Sequence, residues 1–300
     1  MLKSSIGAAL VCKICDGKLS RVLLTIRKPD RFERHVGIPE KGYRRDWIQC
    51  EQCSAATDVH DLRTRAKLKQ VENAYYAVDF QSSSLEEKYR KVMALPPERS
   101  DNTQRVQRIH SFCSEWFGRY FDIQKVRTVL DIGAGLGVFL DRFLELAETK
   151  WKAVAIESDP LACRHLRSLK KFRVVEEIFP GKTSIADFDL ITLNKVVEHI
   201  QNPIPFLKKI ARALSKKTGI CYLELPDTLT FGNRPSTDNI VGALHHHLYN
   251  PRSITILLEN SGFVPIQIMR FFEPSGKITV AAFATLPRVS SSLARKYFSG

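Results

Sequence analysis

The 300-residue chain has no run of about 18 consecutive apolar residues, which argues against a membrane-spanning helix. Its opening segment, MLKSSIGAALVC, contains an apolar stretch too short to predict a signal peptide. We therefore expect a cytoplasmic protein that does not insert into a membrane. With 44% hydrophobic residues, the chain can bury a full α/β domain and a second, smaller domain.

The chain has seven cysteines, which is an odd number. An odd count in a reducing compartment indicates metal ligands or buried thiols rather than a disulfide framework. Four of the seven form two C-x2-C pairs separated by 34 residues, and they are Cys12, Cys15, Cys50 and Cys53. Four thiolates at this spacing predict one tetrahedral, structural zinc ion in a small ribbon of strands. A redox dithiol is the alternative, but it would need only one pair.

The segment VLDIGAGLGVFL, residues 129–140, lacks two features of phosphate-binding turns. No GK[ST] follows it, and Val138 stands where a dinucleotide fingerprint needs its third glycine. An apolar strand instead runs into Asp131 and three glycines at alternate positions, Gly133, Gly135 and Gly137. Glycines there let a ligand approach the backbone, and Glu157 ends the next strand, where a carboxylate suits ribose hydroxyls. The pattern favours a nucleoside site, and a purely structural turn is the alternative.

An acidic residue followed by G-x-G-x-G, with a second acidic residue at the end of the next strand, resembles the class I S-adenosylmethionine-dependent methyltransferases. The resemblance implies an α/β fold with a Rossmann-like sheet, and S-adenosylmethionine as cofactor. It also implies that the three glycines line the methionine portion, that Asp131 positions the amino group and that Glu157 holds the ribose. Glu177 follows a predicted third strand and would approach the adenine, or it would simply lie on the surface.

The most family-specific block is FDLITLNKVVEHIQNP, residues 188–203. It resembles a motif of ubiquinone-biosynthesis-like and related small-molecule methyltransferases. The position of this block also suits a functional site, because open α/β sheets bind their ligands at the carboxyl ends of central parallel strands. We expect Asn194 at the cofactor and His199 as a candidate for the base that takes a proton from the attacking group. The alternative is that Glu198 and His199 only brace the loop.

Three consecutive histidines, His245 to His247, precede the segment LYNP. Adjacent residues cannot easily place three imidazoles on one metal ion. The run resembles a family element, E-H-L-x-[YF]-[ST]-P, with His246 in place of the usual glutamate. The resemblance implies that His247 lies on the substrate side as a second candidate base, whereas local packing or capping is the alternative.

The remaining segments set the predicted domain boundaries. A zinc ribbon is expected at residues 1–58, followed by a helical connector and substrate cap at 59–125. A methyltransferase domain is expected at 126–286 and a flexible tail at 287–300. Residues 263–272 and 277–286 predict a hairpin. Class I methyltransferases end in such a hairpin, whose last strand is antiparallel in the sheet.

The formal net charge of +14 favours anionic partners, but the positive charge is spread along the chain. Residues 1–127 hold 24 Lys and Arg against 16 Asp and Glu, and the remainder holds 22 against 16. The order of zinc knuckles, aromatic connector with Tyr75 and Tyr76, and Glu-His block resembles bacterial enzymes that methylate sugars or other small metabolites.

We therefore expect a carbohydrate-like acceptor, such as a sugar, a nucleotide sugar or a surface-polysaccharide component. Two alternatives stay open. An RNA methyltransferase with a zinc recognition module would explain the charge, although no [ND]-P-P-[YF] motif follows the fourth strand. An inactive cofactor-binding scaffold is the non-enzymatic alternative. The sequence leaves the oligomeric state undetermined.

Overall fold

A computed structural model describes residues 10–298, with gaps at residues 61, 76–77, 79–83, 123, 148–150 and 184. Strands β1 to β11 are, in chain order, Leu19–Ile26, Arg45–Cys50, Ala56–His60, Arg127–Ile132, Trp151–Glu157, Arg173–Glu176, Leu190–Asn194, Ile220–Pro226, His247–Leu248, Val264–Phe272 and Ile278–Thr285. Helices α1 to α10 are Arg31–His35, Leu62–Asn73, Leu85–Met93, Asp101–Tyr120, Val138–Leu146, Pro160–Ser168, Pro203–Ala213, Thr230–Asn233, Pro251–Asn260 and Pro287–Phe298. Short 3-10 turns lie at Pro97–Arg99, Val197–His199 and Asn239–Val241.

The larger sheet has seven strands in the order β10-β11-β8-β7-β4-β5-β6. Strands β4 to β8 are parallel to their neighbours within that group, whereas β11 runs antiparallel between β8 and β10. The strand order reverses between β4 and β7, and open α/β sheets bind ligands at such a point. The predicted Rossmann-like sheet with an antiparallel hairpin at its end is confirmed.

Strands at the centre of this sheet are apolar because helices cover both faces. All residues of β8 and of β11 are buried. Helix α4 supplies one cover: Ser100 caps its first turn by accepting from the Thr103 N–H, and Phe112 stacks on Phe283 with ring centroids 3.7 Å apart. The apolar side chains of this helix therefore pack on the sheet.

The smaller sheet has the order β1-β2-β3-β9, and its fourth strand comes from the catalytic half of the chain. Thr57 on β3 pairs with His247 on β9. Strand β3 extends to His60, two residues past the predicted boundary of the ribbon. Further ties are hydrogen bonds from Asn250 Nδ2 to the Cys53 carbonyl at 3.2 Å and from Asn260 Nδ2 to the Ile14 carbonyl at 2.9 Å. The ribbon is therefore built into the catalytic domain.

The carboxyl-terminal segment differs from the predicted flexible tail. Residues Pro287–Phe298 form helix α10, and Val289 is 1% exposed, within the core that includes Leu286. The proline at the first helical position and this apolar anchor explain why the segment is ordered. In the described part of the chain, no helix combines the length and the apolar character that crossing a membrane requires.

Candidate active site

The glycine turn between β4 and α5 is held against the end of β5. Gly133, Gly135 and Gly137 have positive φ angles of 70°, 53° and 75°. A Cβ atom at Gly133 would lie 2.9 Å from Val196 Cγ2, so a side chain does not fit there. The Gly135 N–H donates to Glu157 Oε2 at 2.9 Å. The structure therefore brings the predicted glycines and the predicted ribose carboxylate together.

Asp131 and Asn194 meet across neighbouring strands at the same edge. Asp131 Oδ1 accepts from Asn194 Nδ2 at 3.0 Å and from Thr192 Oγ1 at 2.6 Å. Burial raises the pKa of Asp131 to about 7, although these two donors and the Arg105 guanidinium oppose the shift. Asn194 Oδ1 is buried and has no hydrogen-bond partner among the described residues. This amide oxygen can accept from a bound ligand.

Glu177 lies just beyond β6, and its side chain is turned into its own loop. The carboxylate accepts from Thr183 Oγ1 at 2.5 Å and from the Thr183 N–H at 3.1 Å, and these bonds lower the pKa of Glu177. Only its backbone reaches the neighbouring strand, where the Glu177 N–H donates to the Glu157 carbonyl at 3.0 Å. The structure thus places the Glu177 carboxylate on Thr183, apart from the pair formed by Asp131 and Asn194.

A cavity of about 340 Å³ lies between the ribbon and the loops that follow β7 and β8. Its walls include Arg31, Tyr75, Lys195, Glu198, His199 and His245. Tyr75 is one of the two tyrosines of the aromatic connector, and Tyr76 lies outside the described residues. Because Lys195 directly follows Asn194, the cavity adjoins the edge that carries the glycine turn.

Two loops meet at one wall of this cavity. His199 Nδ1 lies 2.9 Å from the Leu244 carbonyl oxygen, and the His246 N–H donates to the Glu198 carbonyl at 2.7 Å. Burial lowers the pKa of His199 and, more strongly, that of His245, so both imidazoles are neutral. Burial raises the pKa of Glu198 to about 8. His199 therefore stands at the cavity as a neutral imidazole, as a candidate base requires.

The structure places His247 outside this cavity, where it makes the packing contacts that were the alternative to a role on the substrate side. Its side chain is 1% exposed, and it is not one of the described residues that line the cavity. The Nδ1 atom lies 3.2 Å from Thr57 Oγ1, and the Nε2 atom lies 3.2 Å from the Gln201 carbonyl oxygen. Burial lowers its pKa to about 4. With both ring nitrogens engaged by protein groups, His247 fastens the ribbon to the loop after β7.

A buried charge network next to the cavity was not predicted. Glu224 on β8 is fully buried and accepts from Arg105 Nε at 3.0 Å and from Arg108 at 2.9 Å. Lys195 Nζ lies 3.6 Å from Glu224 and donates to Glu273 at 2.7 Å. Burial opposes the ionisation of Glu224, but the three cations outweigh it and lower its pKa. The signal in the sequence was a single carboxylate inside the apolar strand ICYLELP.

The four cysteines of the two knuckles form one cluster, in which all sulfurs lie within 4.8 Å of one another. Cys12 Sγ is 3.7 Å from Cys53 Sγ, and Cys15 Sγ is 3.4 Å from Cys50 Sγ. Sulfurs bound at about 2.3 Å to a tetrahedral zinc ion are about 3.8 Å apart, so the cluster fits zinc. Four protein ligands close the coordination sphere, which suits a structural ion.

The model of the methyltransferase domain family matches residues 101–268, more than half of the chain. The chain therefore belongs to the methyltransferase domain family. The matched segment contains the glycine turn, Glu157 and the loop with His199. No curated protein sequence matches the chain.

Solved structures show the same fold. The 1,6-didemethyltoxoflavin-N1-methyltransferase of Burkholderia thailandensis is 14% identical over 81% of this chain and 94% of that chain, with a TM-score of 0.51. The plantazolicin methyltransferase BpumL is 14% identical over 75% of this chain and 99% of its own, with a TM-score of 0.52. The CurJ carbon methyltransferase is 14% identical over 74% of this chain and 64% of its own, with a TM-score of 0.52. At these identities the likeness concerns the fold alone.

Proposed function

We propose that the protein transfers the methyl group of S-adenosylmethionine to a small, carbohydrate-like acceptor. The observation that carries the proposal is the continuity of one edge of the sheet. Glu157 ends β5, the glycine turn follows β4, and the Asp131–Asn194 pair joins the carboxyl ends of β4 and β7. The cavity proposed for the acceptor begins at the residue after Asn194, which is Lys195. Two of the similar methyltransferases were solved with S-adenosylhomocysteine bound.

The predicted cofactor contacts suit this edge. The Glu157 carboxylate would accept from the ribose hydroxyls, and the glycine turn would leave room for the methionine portion. Asn194 Oδ1 lacks a partner among the described residues, so it can accept from the cofactor's amino group beside the Asp131 carboxylate. Glu177 would reach the adenine only if its bonds to Thr183 opened, and this contact stays a prediction.

The cavity suits a polar acceptor that carries both hydroxyls and a ring face. Tyr75 and Phe32 supply aromatic surface, and Asn239 supplies hydrogen-bonding groups. A second cavity of about 610 Å³ shares Arg31 and Phe32 with the first, and Arg27, Lys28 and Arg34 also line it. Several cations that line one cavity suit the phosphates of a nucleotide sugar. The ribbon and the connector would thus recognise the acceptor, while the sheet holds the cofactor.

The transfer would proceed by in-line attack of an acceptor hydroxyl on the sulfonium methyl carbon. The new bond forms to the acceptor oxygen, the carbon–sulfur bond breaks, and its electron pair stays on the thioether sulfur. Holding the two reacting atoms in line supplies most of the acceleration, and His199 at the cavity wall would take the proton of the hydroxyl as general base. Lys195 is fixed by Glu273 at 2.7 Å and by Thr279 at 2.6 Å, so it contributes a positioned charge.

The test is a transfer screen with methyl-labelled S-adenosylmethionine against nucleotide sugars, oligosaccharides, quinols and RNA. We expect label in a nucleotide sugar or an oligosaccharide. Arg31→Glu, which reverses a charge shared by both cavities, should lower that incorporation at least about tenfold. Arg21→Glu, an exposed change on the same ribbon, should leave it unchanged. Label found only in RNA would overturn the proposal, and cofactor binding without any labelled product would favour the scaffold.

A further inference from the structure

We propose that Glu198, His199 and His245 bind a divalent transition-metal ion in the wall of the acceptor cavity. One ligand atom from each residue lies within 4.8 Å of the other two. Two imidazole nitrogens and one carboxylate are a ligand set that holds zinc and related first-row ions in proteins. The site is separate from the cysteine cluster. Its use in catalysis rests on the proposed function, whereas its existence does not.

Both histidines are held in the form that binds metal. His199 Nδ1 lies 2.9 Å from the Leu244 carbonyl oxygen, and His245 Nδ1 lies 2.7 Å from the Ile240 carbonyl oxygen. A carbonyl oxygen can only accept, so each Nδ1 carries the hydrogen and each Nε2 presents a lone pair. Metal-binding histidines are oriented in this way, by a hydrogen bond from the ring nitrogen that does not bind the ion.

Glu198 supplies the independent observation that a ligand belongs here. The residue is 1% exposed, and its Oε2 atom has no hydrogen-bond partner in the described part of the chain. A buried carboxylate oxygen without a donor is strongly unfavourable. The Lys195 ammonium in the same cavity donates to Glu273 and Thr279, and it makes no hydrogen bond to Glu198 Oε2. A metal ion between Glu198 and the two imidazoles would compensate the carboxylate.

The fold also explains how one member of a histidine triplet takes part. His246 Nε2 lies 3.1 Å from Glu72 Oε1, and His247 is engaged by Thr57 and Gln201. Only His245 of the three lines the cavity together with His199, and their ring centroids are 4.7 Å apart. The three ligands thus come from two loops, not from three adjacent residues.

The site would change the role of His199 toward the acceptor. A divalent ion held by Glu198, His199 and His245 would supply Lewis-acid chemistry, because it would lower the pKa of an acceptor hydroxyl bound to it. His199 would then be a ligand of the ion and not the base, and the hydroxyl proton would leave to solvent.

Metal counting tests the site. Full-length protein without an affinity tag would be equilibrated with micromolar Zn²⁺, separated from free ion and analysed for bound zinc. We expect two equivalents in the unmodified chain, one in Glu198→Gln and one in His245→Gln. His246→Gln changes the neighbouring histidine outside the site and should keep both. Thermal unfolding of each variant would show that the fold is intact.

A single equivalent in the unmodified chain would overturn the proposal, as would two equivalents in both site variants. Cys50→Ser should lose the other equivalent and keep this one, which identifies the two sites separately. Because the assay does not measure methyl transfer, its failure would leave the proposed function standing. An inactive protein that binds two zinc ions would leave the metal site standing.

Discussion

Asn194 Nδ2 lies 3.0 Å from Asp131 Oδ1, and this hydrogen bond joins the strand that enters the glycine turn to the strand that opens the acceptor cavity. The side chain of Asn194 therefore lies at the edge proposed to hold the cofactor, while the next residue, Lys195, lines the cavity. A methyl donor held by the first and an acceptor held by the second would meet at this point of the chain.

We expect the affinity for S-adenosylmethionine to rise as the pH increases toward about 7. Burial raises the pKa of Asp131 to about 7, so its carboxyl group is neutral below that pH and is a charged carboxylate above it. Only the charged form pairs with the cationic amino group of the cofactor. Calorimetric titrations from about pH 5.5 to about pH 8.5 should show that the association constant for the cofactor rises by up to about tenfold per pH unit and then reaches a plateau.

The control for this pH dependence is Asp131→Asn, which removes the titrating group and keeps a polar side chain of the same shape. Its affinity should be lower at high pH and nearly constant across the range. An unmodified protein whose affinity does not change between the two ends of the range would contradict the assigned role.

Gly137→Ala should destabilise the fold, whereas Gly118→Ala should stabilise it. Gly137 has a φ of 75°, and a Cβ atom there would lie 2.7 Å from Leu166 Cδ2. Gly118 is exposed within helix α4, and a Cβ atom there would meet nothing within 4 Å. We expect a loss of about 1–3 kcal/mol for the first and a gain of about 0.5–1 kcal/mol for the second. Urea unfolding measures both, and equal shifts would be inconsistent with this account of the turn.

Glu224→Gln should lower the free energy of unfolding by about 3–5 kcal/mol, because it leaves Arg105 and Arg108 buried without their counter-charge. The matched change is Arg119→Ala, on the helix that carries Arg105 and Arg108. Arg119 pairs with Glu115 at 3.0 Å, but both side chains are exposed, so the expected loss is at most about 1 kcal/mol. Denaturant unfolding that ranks the two variants in the opposite order would argue against a buried charge network.

Cys50→Ser should abolish the proposed binding of zinc to the cysteine cluster and lower the melting temperature, because an ion bound by all four cysteines would hold the two knuckles together. Cys113→Ser is the control, since this thiol is buried against the catalytic sheet and lies outside the cysteine cluster. Metal analysis should find one zinc equivalent less in the first variant than in the second. Equal zinc contents would show that the cysteine cluster does not bind the ion.

Local spacing was sufficient to predict the features that depend on neighbouring residues. The glycine turn, the carboxylate at the end of β5 and the two cysteine pairs follow from short patterns, and the structure brings each of these groups together. The terminal hairpin also follows from local alternation. These features need no knowledge of which distant segments meet.

The structure places His247 away from the cavity, because the position of that residue depends on a distant strand. Its partner Thr57 lies 190 residues away in the sequence. No local pattern around His247 predicts that this segment forms the fourth strand of the ribbon. Glu224 was missed for the same reason, since its arginines come from a helix more than a hundred residues earlier. Its own strand offered only one carboxylate among apolar residues.

The most direct test of the account is the binding of S-adenosylmethionine to Glu157→Ala and Glu176→Ala. The two glutamates lie opposite each other on β5 and β6, but Glu176 is exposed and pairs with Arg167 at 2.7 Å. Calorimetry should find unchanged affinity in Glu176→Ala and a loss of about 10- to 100-fold in Glu157→Ala, with both variants folded. If Glu157→Ala bound the cofactor as tightly as the unmodified protein, the assigned cofactor site would be contradicted.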